Sequence, residues 1–177
     1  MNALIITWEN FQDQELVYPF YRLKEETDNV KIMANVTGKF FGIMGVNMTS
    51  HLLIDTLNDN LFYQHLLEET DILVLPGGVK SLEKLRQEKR VLQFISDFDK
   101  TGKIIASTCH GAQLMISAKI VKGKNISGYY SLEDDINNAG AKYINEPVVI
   151  DENIVSSPHY DHMGIWMKTA IDMVKNG

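Results

Sequence analysis

Four short apolar runs, separated by segments with helical spacing, constrain the fold of this chain most strongly. The runs are nearly continuous, as is typical of parallel strands that are covered on both faces. Helices are predicted over 13–26, 90–100, 111–119 and 131–138, with Pro19 interrupting the first and Ser131 capping the last. This alternation predicts an α/β protein with a mostly parallel sheet. The apolar runs are Leu4–Ile6, Val30–Met33, Ile72–Leu75 and Ile104–Ala106.

Two segments depart from this alternation and are predicted to be hairpins added to a flavodoxin-like core. Residues 36–50 are rich in glycine, aromatic and β-branched residues, which predicts a hairpin on the sheet edge. Residues 148–155 contain two apolar runs joined by three polar residues, which predicts a second hairpin. A closing helix over 160–175 carries an apolar stripe of the kind that packs in a core or a subunit interface. We expect one domain over residues 1–177.

Composition excludes several classes of function. The 17 basic and 23 acidic residues are interspersed and give a net charge of −6, so neither a nucleic-acid-binding face nor a polybasic membrane anchor is predicted. No segment is apolar enough to span a membrane, and Ala3–Ile6 is interpreted as a strand and not as a signal peptide. A single cysteine cannot form an intrachain disulfide, which predicts a cytoplasmic protein with a free thiol.

That single cysteine, Cys109, stands where the strand at Ile104–Ala106 should turn into a helix. Backbone N–H groups at a helix start favour negative charge, so the thiol should ionise more readily than a free cysteine and act as a nucleophile. The alternative is a small buried packing residue. The adjacent His110 and Gly111 favour a site for acyl transfer.

Other chemically capable residues follow neighbouring strands and should converge on Cys109, because sites in such sheets lie at the carboxyl ends of the strands. Gly77 and Gly78 could present a backbone N–H for an oxyanion hole, or could be a simple turn. Glu15 could be an ordinary surface acid. Alternatively, burial and like-charge proximity would protonate Glu15, which could then donate a hydrogen bond to the sulfur.

Five segments resemble, in order and spacing, the ThiJ/PfpI superfamily, which includes the Parkinson-disease protein deglycase. His110 resembles the PfpI-type branch of intracellular proteases and amidases, because that histidine is absent from the Parkinson-disease protein. The resemblance implies a three-layer α/β/α flavodoxin-like sandwich of the type found in class I glutamine amidotransferases. The segments are Glu15–Pro19, Leu75–Gly78, Ser107–Gln113, Asp134–Ala141 and Val148–Asp151.

The resemblance also implies roles for individual residues. Cys109 would be the nucleophile, Glu15 the acid hydrogen-bonded to it, and His110 the general acid or base. The backbone N–H groups of Gly78 and His110 would form the oxyanion hole. An acid from a neighbouring subunit would orient the histidine, and Glu83 is the candidate, although it could equally be a solvated helix residue. Gly77 and Tyr129 would border the pocket.

After the last strand, the family often has an arginine, whereas this chain has Pro158 followed by His159. His159 and His162 could therefore line the pocket entrance with a different charge. Their spacing around Asp161 also resembles a metal site, but surface residues at a helix start are the preferred interpretation, so neither a metal nor a cofactor is expected.

These observations leave three hypotheses for function. The first is a PfpI-type peptidase or amidase, and the second is a cofactor-independent glyoxalase III or protein deglycase that acts on methylglyoxal with the same residues. The third is a stress protein, either a redox sensor that uses an oxidisable Cys109 or a chaperone. The partners would be a small molecule or peptide and a second copy of the chain, because apolar side chains of the first hairpin should need a homodimer or larger assembly to cover them. These side chains include Phe40, Phe41, Ile43 and Met44, with Met48 and Leu52 beside them.

Overall fold

A computed structural model describes residues 1–177 as a three-layer α/β/α sandwich. The elements, in chain order, are β1 (Ala3–Ile6), α1 (Asp13–Lys24), β2 (Val30–Ala34), β3 (Gly38–Phe41), β4 (Asn47–Ser50), β5 (Leu52–Leu53), α2 (Asn60–Glu69), β6 (Ile72–Leu75), α3 (Val79–Leu85), α4 (Lys89–Lys100), β7 (Ile104–Thr108), α5 (Ala112–Ser117), β8 (Asn125–Ile126), α6 (Glu133–Asn138), β9 (Lys142–Tyr143), β10 (Val149–Asp151), β11 (Ile154–Ser157) and α7 (Met163–Asn176).

The central sheet contains seven strands in the order β10-β11-β7-β6-β1-β2-β5. Only β10 runs antiparallel, to β11, and every other pairing is parallel. The four apolar runs of the sequence are β1, β2, β6 and β7, as predicted. The strand order reverses between β1 and β6, and in sheets of this kind a crevice opens beyond the carboxyl ends of the strands at that point.

Apolar side chains cover both faces of the sheet. Helices α2 to α6 bury one cluster, which includes Phe94 and Phe98. Helices α1 and α7 bury the other cluster, where Trp166 is fully covered and donates an indole hydrogen bond to the carbonyl of Val155 at 3.1 Å. Burial on both faces explains why the parallel strands are continuously apolar in sequence.

Three local predictions need correction. Pro19 does not interrupt α1, which continues through it to Lys24. Ser131 does not cap α6, because it lies in a 3₁₀ turn and Leu132 precedes the helix without a side-chain cap. The hairpin predicted on the sheet edge forms a separate two-stranded sheet of β3 and β4, and the edge strand is the two-residue β5. The second hairpin, β10 with β11, forms as predicted.

The β3–β4 hairpin covers part of its own apolar surface. Phe40 and Met48 face the core between the hairpin and the sheet and are buried, which corrects the expectation that a partner must cover them. Phe41 on the opposite face is 54% exposed, and Ile43 and Met44 in the connecting turn are 48% and 78% exposed. A partner-binding surface on the hairpin therefore remains a prediction only for this outer part.

None of the helices combines the length and the apolar character that crossing a membrane requires.

Candidate active site

Cys109 lies immediately after β7, at the start of a 3₁₀ turn that leads into α5. Its φ angle is +55°, a left-handed conformation that side-chain-bearing residues adopt rarely and that often marks a functional turn. The turn is possible because residue 111 is glycine: a Cβ there would lie 2.2 Å from the carbonyl oxygen of Leu75. Cys109 itself is only 6% exposed.

Glu15 projects from the first turn of α1 into the same place and is fully buried. Its Oε2 accepts a hydrogen bond from the Gly77 backbone N–H at 2.7 Å. Burial raises the pKa of Glu15 to about 7, although hydrogen bonds with Cys109 and Gly77 oppose the rise. The predicted like-charge effect does not contribute, so desolvation alone accounts for a carboxyl that carries a proton close to neutral pH.

Residue 77 can only be glycine beside this carboxyl. A Cβ at that position would lie 2.3 Å from Glu15 Oε2 and 2.9 Å from Cys109 Cβ. The missing side chain lets the loop after β6 pass close to both reactive groups.

The surroundings of the Cys109 thiol oppose the predicted easy ionisation. Burial, and next the negative charge of Glu15, raise the pKa of the thiol, while the His110 backbone N–H lowers it. The repulsion from Glu15 vanishes when that carboxyl is protonated, and a protonated carboxyl can also donate to sulfur. The ionisation of Cys109 is therefore coupled to the protonation of Glu15.

The His110 side chain also contacts the sulfur. Its Nδ1 is 3.3 Å from Cys109 Sγ. Burial lowers the pKa of His110, so the imidazole is neutral near pH 7 and can accept a proton. The ring stacks on Tyr129 with 4.8 Å between the ring centroids.

Two backbone N–H groups are available near the sulfur. Gly78 has a φ angle of +113°, and a Cβ there would lie 2.7 Å from the Gln12 nitrogen, so only glycine fits. Its N–H makes no hydrogen bond within the protein. The second N–H belongs to His110 and interacts with the Cys109 sulfur. These two N–H groups are the candidates for the oxyanion hole, and that role remains a prediction.

A cavity of about 280 Å³ opens above Cys109. It brings together six residues that the sequence singled out, namely Glu15, Gly78, Cys109, His110, Tyr129 and His159. Gly77, which was expected to border the pocket, is not among the lining residues and adjoins the cavity through its hydrogen bond to Glu15. Glu83 does not reach this cavity; it lies on the exposed side of α3, so its suggested role toward another subunit remains a prediction. His162 also lies outside, in the turn before α7.

Sequence reasoning missed about half of the cavity wall. Asn10 and Gln12 lie on the loop after β1, Ile43 on the hairpin turn, Val79 at the start of α3, and Tyr160 after β11. Asn10 and Gln12 lie between β1 and Glu15, so their position after β1 could have identified them. Ile43 had no such signal, because it depends on how the hairpin folds back.

Asp13 explains how Ile43 reaches the cavity. Its buried carboxylate accepts hydrogen bonds from the Met44 and Val46 backbone N–H groups, both at 2.8 Å. A Cβ on Gly42 would lie 2.5 Å from the same carboxyl group. The hairpin turn is thus attached to the first turn of α1, two residues from Glu15.

The suggested histidine pair at the entrance does not come together around a metal. His159 Nδ1 lies 3.1 Å from Asp161 Oδ2. No group of three or more histidine, cysteine, aspartate or glutamate side chains is arranged to hold a metal ion.

Known proteins share this whole architecture. The model of the DJ-1/PfpI family matches residues 1–173. Deglycase PfpI of Pyrococcus furiosus is 35% identical over 175 residues, covering 99% of this chain and 100% of the relative. Protein/nucleic acid deglycase 2 of Escherichia coli is 30% identical over 173 residues, covering 97% and 96%. The crystal structure of a ThiJ/PfpI domain protein from Brachyspira murdochii superposes with a TM-score of 0.87 at 21% identity, covering 99% and 97%.

These similarities confirm the predicted fold and a cysteine-dependent enzyme. Because both relatives are named deglycases, they favour the second hypothesis for function over the first, a peptidase or amidase. The redox-sensor and chaperone hypotheses remain predictions.

Proposed function

Because this chain belongs to the DJ-1/PfpI family, we propose that it is a cysteine-dependent deglycase or glyoxalase that converts α-oxoaldehydes such as methylglyoxal to hydroxy acids. The observation that carries the proposal is the pair of proton-exchanging groups around one thiol. Glu15, with a pKa of about 7, and neutral His110 both contact Cys109.

The reaction begins with addition of the thiol to the aldehyde. His110 takes the thiol proton, the sulfur bonds to the aldehyde carbon, and the oxygen of that carbon gains a proton to give a hemithioacetal. The N–H groups of Gly78 and His110 stabilise negative charge on this oxygen.

The second step moves a proton between neighbouring carbons. A base removes the proton from the carbon bonded to sulfur, and the ketone oxygen gains a proton, which gives an enediol. A proton then returns to the former ketone carbon while the hydroxyl on the sulfur-bearing carbon loses its proton, which gives a thioester of lactate. Water then hydrolyses the thioester and releases lactate and the free thiol, so that methylglyoxal and water become lactate without an oxidant. Glu15, whose pKa is about 7, can donate or accept a proton near neutral pH, and the neutral imidazole of His110 accepts one and returns it later in the reaction.

The same chemistry acts on methylglyoxal that is already bound to an amine or thiol. The Cys109 sulfur then replaces the amine nitrogen or the thiol sulfur at the aldehyde carbon, and His110 protonates the departing group. The cavity of about 280 Å³ supports a small aldehyde as the reacting group in preference to an extended peptide.

Lactate formation from methylglyoxal by the purified protein tests this function, with a fluorogenic peptide panel assayed in parallel. We expect lactate from the wild type and a loss of at least ~100-fold in kcat/KM for Glu15→Gln, since the carboxyl contacts the reacting sulfur. Glu68→Gln on the exposed face of α2 is the matched control and should leave the rate unchanged. Peptide cleavage without lactate would reject the proposal.

A further inference from the structure

Aromatic rings form a continuous stack at the cavity, which we call the aromatic wall: Tyr129, His159 and Tyr160 line the cavity, and Tyr130 lies outside the lining, next to the rings of Tyr129 and His159. The rings of His159 and Tyr160 have centroids 3.8 Å apart, and Tyr130 and His159 stack at 6.1 Å with 22° between their planes. Tyr129 continues the wall inward to His110, with 4.8 Å between centroids. The wall therefore runs from the base beside Cys109 to the surface, where Tyr130 is 48% exposed.

The cavity lining has no lysine or arginine. The Glu15 carboxyl in that lining is either protonated and neutral or ionised and negative, so it never adds a positive charge. At the rim, the largely exposed carboxylate of Asp161 lies 3.1 Å from His159 Nδ1. A phosphate or carboxylate on a substrate would meet no compensating cation here, whereas a cation would meet aromatic rings and carboxylate oxygen.

The cavity lining also includes residues with hydrogen-bond acceptors. Asn10 and Gln12 belong to it, and a side-chain amide oxygen can accept from a donor-rich group, although Gln12 Oε1 also accepts from the Gln14 N–H at 3.4 Å. A guanidinium matches both the rings and the acceptors, because it is planar, positively charged and rich in N–H donors, and it stacks on aromatic rings better than the compact ammonium of lysine.

We propose that the aromatic wall makes this enzyme selective for oxoaldehydes bound to a guanidinium, as on an arginine side chain, over those bound to amines, thiols or phosphate-bearing molecules. This inference rests on the proposed deglycase function. The bond from the guanidinium nitrogen to the aldehyde carbon breaks as the Cys109 sulfur bonds to that carbon, and the nitrogen leaves with a proton from His110. Because that nitrogen is directly bonded to the carbon under attack, the guanidinium must lie beside Cys109, where Tyr129 begins the wall.

A binding experiment tests whether the aromatic wall recognises a guanidinium, independently of the reaction at Cys109. Cys109→Ser protein is titrated with N-acetylarginine methylamide and, separately, with N-acetyllysine methylamide, followed by NMR. We expect the arginine compound to bind at least ~10-fold more tightly than the lysine compound, because the planar guanidinium stacks on the rings and the ammonium does not. Tyr160→Leu in the same background should reduce this preference at least ~5-fold, and Tyr160→Phe should retain most of it because the ring remains.

Two further variants test whether a loss of arginine preference comes from the aromatic wall and not from a change in the rest of the protein. Tyr130→Leu changes a half-exposed ring and should weaken arginine binding even if Tyr160→Leu fails to fold, which circular dichroism detects. Tyr21→Leu on the exposed side of α1 is the matched control and should leave the preference unchanged. Equal affinity for the two compounds, or an unchanged preference in both Tyr130→Leu and Tyr160→Leu, would overturn the inference.

A kinetic experiment distinguishes this inference from the proposed function. The kcat/KM values for methylglyoxal adducts of N-acetylarginine and N-acetylcysteine are compared in wild type and Tyr160→Leu. We expect the arginine-to-cysteine ratio to fall at least ~5-fold in the variant. If both adducts are turned over but Tyr160→Leu leaves the arginine-to-cysteine ratio of kcat/KM unchanged, the role of the aromatic wall is rejected and the proposed function stands. If the protein binds the arginine compound selectively but turns over no form of methylglyoxal, the proposed function is rejected and the binding role of the wall stands.

Discussion

Replacing Glu15 with glutamine should stabilise the protein, by an amount that grows with pH. In the folded protein, burial raises the pKa of Glu15 from 4.5 to about 7. Between these two pH values, the folded protein holds a proton that the unfolded chain has released. The associated stability is therefore fully present below pH 4.5 and is lost as the pH rises through about 7.

The size of the effect follows from the interval between the two pKa values. Each pH unit between them costs about 1.4 kcal/mol, so the wild type loses roughly 3 kcal/mol by pH 8. Glutamine has the same shape and does not titrate. Its amide oxygen can still accept the hydrogen bond from the Gly77 N–H, which measures 2.7 Å to Glu15. The variant should therefore keep the hydrogen bond from Gly77 without losing stability as the pH rises.

Urea denaturation at pH 4.5 and pH 8 measures this difference directly. We expect the free energy of unfolding of Glu15→Gln, relative to wild type, to rise by about 3 kcal/mol between the two pH values. Glu68→Gln on the exposed face of α2 should show no such rise. A relative free energy that is the same at both pH values would show that Glu15 is ionised in the folded protein at neutral pH, and would refute the reasoning. A buried carboxyl that lowers stability at neutral pH is consistent with a residue whose role is chemical.

The remaining predictions concern the site and its surroundings. Cys109→Ser should abolish lactate formation while shifting the melting temperature by less than ~2 °C by calorimetry, because the thiol supplies chemistry more than packing. Gly77→Ala should lower kcat/KM at least ~100-fold in the lactate assay, since the new methyl group would lie 2.3 Å from Glu15 Oε2. Asp13→Ala should lower the free energy of unfolding by about 2–3 kcal/mol in urea denaturation and speed hydrogen exchange of the Met44 amide, because the Met44 and Val46 N–H groups lose the buried carboxylate that accepts from them. Met44→Glu should lower the average mass in light scattering if the exposed hairpin turn joins subunits; an unchanged mass would remove that turn from any interface.

The fold and the centre of the site were predictable for one physical reason. A parallel strand covered on both faces must be apolar along its length, so β1, β6 and β7 were visible as runs, and the residues after them had to meet at one edge of the sheet. That logic predicts that Glu15, Gly77 and Cys109 lie close together. It could not predict that the pKa of Cys109 is raised, because that shift depends on how deeply the thiol is buried and on the charge of Glu15.

Long-range packing was also invisible in the sequence. The hairpin pattern did not reveal that Phe40 would face the core while Phe41 faced solvent. Asp13 accepts hydrogen bonds from backbone groups more than 30 residues away, and any residue type could have supplied those N–H groups. The cavity wall that depends on this attachment, including Ile43, therefore required the structure.

The two outer strands of the central sheet limit how this protein can associate with others. At one margin, β5 has only two residues, and at the other, β10 has three. An incoming extended segment needs a longer row of free backbone donors and acceptors to extend a sheet, so these margins are poor templates for strand addition and for aggregation through it. Association with a second chain should therefore proceed through side-chain surfaces on the helices and the hairpin, which sequence changes can alter without disturbing the backbone of the sheet.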